Sequence, residues 1–141
     1  FSVHFVKLHV HPVTGVIKLK HIVSVADAGK IISEKTARSQ MVGGAVGGIG
    51  MAMTEETLLD HRYGRYINAN FVDYHVPVHA DAPPMDVLFV NKPDLIISPT
   101  GAKGIGEIAL VGVAPAIINA VYNATGKRVR TLPVTPDKLI D

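Results

Sequence analysis

Apolar and polar residues nearly alternate through the first part of the chain, on both sides of the turn-forming residues 11–15. Alternation at every second residue is typical of strands with one buried face, so this region predicts a β-hairpin. The alternation slips between Phe5 and Val6 and again between Ile22 and Val23, which predicts a β-bulge or a fully buried strand end at both places. The apolar positions are Val3, Phe5, Leu8, Val10, Ile17, Leu19, Val23 and Val25.

Apolar residues then recur at every fourth position from Ala37 to Met53, which predicts an amphipathic helix over residues 34–56. The middle of this helix holds five glycines, each of which costs about 1 kcal/mol relative to alanine. Several lie one turn apart and form a flat strip that another backbone or a ligand could approach closely. The spacing leaves tight helix–sheet packing and ligand contact as equal alternatives. The glycines are Gly43, Gly44, Gly47, Gly48 and Gly50.

The second half of the chain predicts a short hairpin with Gly64 at its turn, an irregular segment over residues 68–84 and a strand over residues 86–90. Residues 95–97 predict a short apolar strand or a packed loop. A helix over residues 109–125 follows.

This last helix is apolar nearly all round, which is typical of a helix buried on most faces. Pro115 predicts a kink or a restart, and Gly126 predicts the C-terminal end. The uncharged run approaches membrane-spanning length, but Gly112 and Pro115 interrupt it, so we predict a buried helix.

These elements predict one α+β domain over residues 1–141, in which a mixed sheet from the N-terminal hairpin and later strands packs in two layers against two main helices. Because the chain begins at Phe1 without a leader segment, we expect it to be a fragment of a larger subunit. Its composition is 48% apolar and 18% charged, which is typical of globular proteins. The net charge of +2 favours neither a nucleic-acid nor a membrane partner.

The absence of cysteine excludes thiolate metal sites, iron–sulfur ligation and cysteine nucleophiles within the chain. His9 and His11 share one face of the predicted strand, but no third ligand follows at a recognisable spacing. We therefore interpret them as a half-exposed strand face and predict no metal-ligating residue.

The segment from Thr100 to Glu107 concentrates glycines before one carboxylate. A carboxylate between Ile105 and Ile108 is expected to lose part of its hydration. The same segment matches the G-x-G-x-x-A dinucleotide fingerprint, but Glu107 would face the pyrophosphate and no acidic residue follows about twenty positions later. A structural helix cap, with Glu107 favoured by the helix dipole, is the alternative that spacing alone supports best.

Residues 101–107, the apolar helix after them and the terminal residues 132–139 resemble the C-terminal end of the molybdopterin-binding subunit in the xanthine dehydrogenase and aldehyde oxidase family. The segment from Gln40 to Gly50, which closes with residues 54–56, is similar to a glycine-rich segment of that family. Two motifs about sixty residues apart in the same order are more specific than either alone. The resemblance covers nearly the whole chain and implies the fold of a molybdenum-cofactor-binding domain.

The resemblance assigns Glu107 as the catalytic base beside the molybdenum and Gln40 as a contact to the pterin. It also implies that backbone near the end of the second motif lines the metal pocket and that the glycine strip lies near the cofactor. Many members of the family have prolines directly after the glutamate, whereas this chain has Ile108 and Ala109. The start of the helix and the width of the substrate pocket are therefore open. The implied cofactor-binding residues are Gln40, Gly43, Gly44, Lys103, Gly104 and Gly106.

The implied function is part of a molybdenum hydroxylase, an oxidoreductase that oxidises aldehydes or aromatic N-heterocycles with oxygen from water, with aldehydes slightly favoured. The implied cofactor is molybdenum-molybdopterin, with iron–sulfur clusters and FAD on other domains or subunits. The implied partners are the remainder of the subunit, iron–sulfur and flavin subunits, and a small-molecule substrate. We expect the isolated segment to be inactive and the enzyme to be cytoplasmic, with the periplasm as the alternative. The alternative function is a non-catalytic module that binds a small ligand or anion through its glycine-rich loops.

Overall fold

The N-terminal alternation forms a long antiparallel hairpin in the computed structural model, which describes residues 1–140. Strand β1 spans Ser2–Val10 and strand β2 spans Ile17–Ala26. The register of this pair shifts between Lys7 and Leu8, which leaves Lys20 of β2 unpaired. A bulge was therefore predicted at the wrong positions.

The apparent phase slips have a different cause, which is that apolar residues occupy both faces of the sheet. Phe5 faces solvent with 61% of its surface exposed, whereas Val6 packs against the core. The other alternative, a fully buried strand end, holds in part for β2, because Ile22 is fully buried and Val23 is half-buried.

Later strands complete the predicted mixed sheet. Strands β3 (Leu59–Asp60) and β4 (Arg65–Tyr66) form the short hairpin, with Gly64 in its turn, and make a separate two-stranded sheet. Strand β5 (Met85–Phe89) pairs in parallel with β2, so the main sheet has the order β1-β2-β5. Short 3₁₀ turns span His79–Asp81 and Pro136–Lys138.

Helix α1 spans Glu34–Met53 and ends three residues earlier than predicted. Its repeat of apolar residues faces the core as the sequence indicates, since Ala37, Met41, Ala45 and Ile49 are all buried. Helix α2 spans Ile108–Thr125 and lies beside α1 on the same side of the sheet.

Gly44, Gly47 and Gly48 of the glycine strip pack against α2, so of the two alternatives helix–sheet packing is wrong. A Cβ on Gly48 would lie 2.8 Å from Cβ of Val113, and a Cβ on Gly44 would lie 3.2 Å from Cβ of Ala109. The missing side chains let the two helix backbones approach closely, and the added dispersion contacts offset part of the cost of glycine in a helix.

Helix α2 continues through the exposed Pro115 without a restart. Gly126 ends it in the left-handed conformation and donates its N–H to the carbonyl of Tyr122 at 2.8 Å. The helix is buried on one side only, because Val111 is 73% exposed, so burial on most faces was a wrong prediction. By length and composition α2 could cross a membrane, but Val113, like Ile117 one turn later, lies fully buried in the core.

The α+β class and the two-layer arrangement are confirmed. Residues 95–97 form neither a strand nor a packed loop, since Ile96 is 97% exposed in a turn. The Asp94 carboxylate accepts the N–H groups of Ile96 and Ile97, which explains a turn with little apolar support. The largest fully buried apolar side chains are Ile22, Met41, Ile49, Val113, Ile117 and Val121.

Candidate functional site

The two glycine-containing segments, far apart in sequence, meet at the N-terminal end of α2. Gly44 of α1 contacts Ala109 and the backbone of Leu110. Gln40 and Ile105 line one cleft of about 170 Å³ together with Lys103. Drug-sized ligands occupy pockets of roughly 300 Å³ or more, so this chain forms one wall of a larger site at most.

The loop before the second motif is held by its own backbone. The carbonyl of Gly101 accepts the N–H groups of Lys30 at 2.8 Å and of Asp94 at 2.9 Å. Gly101 has a φ of 75°, and a Cβ there would lie 2.8 Å from Cβ of Pro93. Glycine is therefore required at this position for both its conformation and its close approach.

Lys103 joins three segments of the chain through its side chain. Its ammonium lies 3.2 Å from a carboxylate oxygen of Asp27, which follows β2, and 3.7 Å from one of Asp94. Gly29 N–H donates to the same Asp27 oxygen, and this bond, followed by the one from Lys103, lowers the pKa of Asp27 below its ordinary value of 3.8. We call Asp27, Asp94 and Lys103 the clasp.

Asp27 and Asp94 of the clasp were not predicted from the sequence as part of the site. Their signal was local, because Asp27 precedes Gly29 by two residues and Asp94 follows a proline, and both positions are typical of aspartate-capped turns. The sequence predicts the backbone of Lys103 as a cofactor contact, which stays a prediction. The structure gives its side chain a separate role in holding the loop.

Glu107 is exposed at the N-cap position of α2, and its side chain makes no capping hydrogen bond. The expected loss of hydration is therefore not seen in this chain. The physical reason is that Ile105 and Ile108 both turn inward and pack against the core, so that the carboxylate between them points outward. The helix-cap interpretation is correct in placing Glu107 at the start of α2, although Glu107 occupies the N-cap position and not the first turn.

Residues 104–107 leave their backbone N–H groups open, while the carbonyls of Ile105 and Glu107 accept from Ile108 and Leu110. Within residues 1–140, none of these four amides donates a hydrogen bond. Gly104 and Gly106 have no atom within 4 Å of the place where a Cβ would lie, and the same holds for Gly43 on α1. Gly44 differs, because its Cβ direction is filled by Ala109, so its cofactor contact stays a prediction beside an observed packing role.

Residues 1–83 match the model of the molybdopterin cofactor-binding domain family, which is more than half of the chain. The chain belongs to this family. The match contains the Gln40 segment and ends before the second motif, whereas the alignments with individual relatives extend through both.

Two curated relatives come from Escherichia coli strain K12. The chain is 49% identical over 141 residues to the aldehyde oxidoreductase molybdenum-binding subunit PaoC, covering 100% of this chain and 19% of that protein. It is 38% identical over 143 residues to the putative xanthine dehydrogenase molybdenum-binding subunit XdhA, again covering 100% and 19%. The chain thus spans about a fifth of the length of these relatives.

The solved structure of the aldehyde oxidoreductase from Desulfovibrio desulfuricans superposes with a TM-score of 0.85 at 32% identity, over 96% of this chain and 14% of that one. The fold is therefore that of a molybdenum-cofactor-binding domain, as the resemblance implied.

The open residues of this molybdopterin cofactor-binding domain fit a pterin in their chemistry. A pterin carries several hydrogen-bond donors and acceptors, and the Gln40 amide supplies both kinds. That amide is exposed and has no hydrogen-bond partner within residues 1–140. The four open amides from Gly104 to Glu107 add donors next to it in the fold.

Other features of the described residues lie away from this site. A cavity of about 610 Å³ is lined by residues near the β3–β4 hairpin and contains none of the predicted site residues. No group of three or more His, Cys, Asp or Glu side chains within residues 1–140 could hold a metal ion. His11 instead accepts the N–H groups of Val13 and Thr14 in the first hairpin turn.

Proposed function

We propose that the full-length protein is a molybdenum hydroxylase in which this chain supplies the catalytic base, Glu107, and one wall of the cofactor pocket. The observation that carries the proposal is that the Gln40 segment and the Glu107 segment lie against each other. This contact places the exposed Gln40 amide, the exposed Glu107 carboxylate and the four open backbone amides in one region of the surface, where a single ligand could reach them.

Hydroxylation of a substrate carbon by water releases two electrons and two protons. The cofactor, when bound, would supply a metal centre that acidifies water and accepts the two electrons. Glu107 would accept one of the protons on a carboxylate oxygen, which the absence of a capping bond leaves available. The Gln40 amide would hold the pterin through its oxygen and its NH₂ group.

The remaining residues would set the position of the base. Gly104 and Gly106 would let the backbone come within hydrogen-bond distance of the cofactor, since no Cβ stands in the way. The clasp would fix the residue before Gly104, and the inward contacts of Ile105 and Ile108 would fix the residues on both sides of Glu107. A base held from both sides reaches its proton donor without a large loss of entropy.

We infer aldehydes or aromatic N-heterocycles as substrates, with aldehydes favoured because the more similar of the two bacterial relatives is an aldehyde oxidoreductase subunit. Because the chain has no cysteine, iron–sulfur centres that carry electrons onward would lie on other domains or subunits, together with the flavin. A substrate screen with the purified full-length complex tests the first inference. Cell fractionation tests the proposed cytoplasmic location.

Cofactor analysis tests the proposal as a whole. We expect the full-length protein, purified from a molybdenum-replete host, to contain molybdenum and an extractable pterin in equal amounts. A protein that contains neither would overturn the proposal and would favour the non-catalytic binding module. The same preparation with Gln40→Ala should contain less of both, whereas the exposed control variant Ser39→Ala on the same helix should load normally.

A further inference from the structure

A small polar network lies between the sheet and the start of α2, where the surrounding residues are apolar. It consists of Ser2 and His4 of β1 and Ser24 of β2, all on the face of the sheet that packs against the helices. His4 and Ser24 are directly paired across the strands, and Ser24 is 2% exposed. Since its hydroxyl has no access to a substrate, the serine–histidine pair cannot act as a nucleophile.

The bonds of this network have one consistent direction. The Ser2 hydroxyl lies 3.3 Å from the carbonyl of Ile108 and must donate to it, because a carbonyl only accepts. Nε2 of His4, 2.9 Å from the Ser2 oxygen, therefore carries the proton, and Nδ1 accepts the Ser24 hydroxyl at 2.8 Å. This assignment uses the neutral imidazole, and burial lowers the pKa of His4 in the same sense.

Gly112 of α2 completes the contact from the helix side. A Cβ on this residue would overlap the His4 ring, so the ring fits against the helix backbone only because position 112 lacks a side chain. The network therefore contacts the start of α2 at two points, the carbonyl of Ile108 in the first turn and Gly112 one turn later. The helix has no side-chain cap of its own to fix this end.

We propose that His4 is a positioning residue that acts through the first turn of α2 on Glu107. Ile108, the residue that the network holds, directly follows Glu107 in the chain. The inference rests on the proposed function for its effect on catalysis, while its effect on the helix does not depend on any cofactor. The hydrogen-bond chain from Ser24 to Ile108 would keep the Glu107 carboxylate at a fixed distance from the cofactor.

The test compares His4→Leu, which fills the space without polar atoms, with His4→Gln, whose amide can still donate towards Ser2. His4→Leu removes the bonds of His4 to Ser2 and Ser24, so the Ser2 hydroxyl that binds Ile108 is no longer held in place. In the full-length enzyme we expect amide exchange over residues 108–112 to be about tenfold faster. The kcat should fall by about the same factor with KM and molybdenum content unchanged. His4→Gln should recover most of both losses, and the exposed His9→Leu on the same strand should change neither.

Normal exchange and normal kcat in His4→Leu would overturn the inference, as would equal impairment in the leucine and glutamine variants. If His4→Leu does not fold, Ser2→Ala tests the same chain while the His4 ring stays in place, because it removes the bond to Ile108 together with the bond from His4. It must move both readouts in the same direction. Gly112→Ala should also speed exchange, although alanine is the better helix former. A protein without molybdenum overturns the proposed function, whereas unchanged amide exchange overturns the role of His4.

Discussion

Residues 94–103 and residues 104–107 follow one another in the chain, yet the two segments are built in opposite ways. The first is held by backbone bonds through Gly101, by the Asp94 turn and by the clasp. The second donates no backbone hydrogen bond within residues 1–140, and its glycines face open space. The first segment is thus fixed by its own contacts, whereas the second keeps exposed amides that are free to bind a ligand, which is the role that we propose for it.

Helix α1 shows the same division over one turn. Atoms of α2 occupy the space where Gly44 and Gly48 would carry a side chain. The corresponding space at Gly43, three residues after Gln40, is open. Glycine thus serves close helix packing at some positions of this helix and leaves open surface at another. The spacing of the glycines in the sequence does not distinguish these two roles. Substitutions at the closed and the open positions should therefore have different consequences.

Glu107→Gln should have the largest effect, because it removes the proton acceptor and keeps the shape of the side chain. We expect turnover of the full-length enzyme to fall at least about a hundredfold with unchanged molybdenum content. Steady-state kinetics and metal analysis check this. Glu56→Gln, an exposed glutamate outside the site, is the matched control. A Glu107→Gln enzyme with most of its turnover would exclude this residue as the base.

Gly48→Ala and Gly43→Ala should shift stability in opposite directions. The new methyl at position 48 would meet Val113 Cβ at 2.8 Å and the Leu110 carbonyl at 2.9 Å, so we expect a loss of about 1–3 kcal/mol. At position 43 it would meet nothing within 4 Å, and the helix should gain about 1 kcal/mol. Amide exchange along α1 in the full-length protein measures both.

Cofactor content then separates the two uses of glycine. If Gly43 contacts the pterin, Gly43→Ala should lower molybdenum content while it stabilises the helix. Normal loading in this variant would remove Gly43 from the predicted cofactor contacts.

Gly101→Ala and Gly104→Ala make the same comparison in the second motif. Alanine at position 101 would take a left-handed conformation at a cost of about 1–2 kcal/mol, in addition to its overlap with Pro93. We expect the loop to open more often, seen as faster exchange of the Lys103 amide, which donates to Ala28. Gly104→Ala should leave that amide protected and reduce cofactor loading. The reverse pattern would contradict the assignment of closed and open segments.

Periodicity was sufficient to predict the hairpin and both helices, because each depends on where apolar residues fall along one stretch of the chain. It did not predict the bulge at Lys20 or the partner of the glycine strip, because these depend on which elements meet. Likewise, the exposure of Glu107 follows from the inward packing of Ile105, which neighbouring residues in sequence do not reveal.

The candidate site was predicted from two motifs. Residues that support the site from outside these motifs were not predicted. The carboxylates of the clasp lie outside both motifs. His4 and its hydrogen-bond partners Ser2 and Ser24 also lie outside them. Ser2 and His4 interrupt the inward-facing apolar side of β1, which was the available signal for a buried polar network. Such a signal becomes specific only when the opposite strand and helix are known.

Lys103→Met should have the smallest effect and should appear mainly in the pH dependence of stability. The pKa of Asp27 is lowered in the folded protein, so its contribution to stability is present above the ordinary value of 3.8 and is lost as pH falls through the lower folded value. The bond from Gly29, the larger cause, remains in the variant, and only the part due to Lys103 disappears. We therefore expect the Tm difference between wild type and Lys103→Met to be constant well above pH 3.8 and to shrink as the pH falls below 3.8 through the lowered pKa of Asp27. Asp27→Asn should show a larger change of the same sign, and the exposed Lys35→Met should show none. A difference that stays constant as the pH falls below 3.8 would mean that Lys103 holds the loop through its aliphatic chain, since only the ion pair depends on the charge of Asp27.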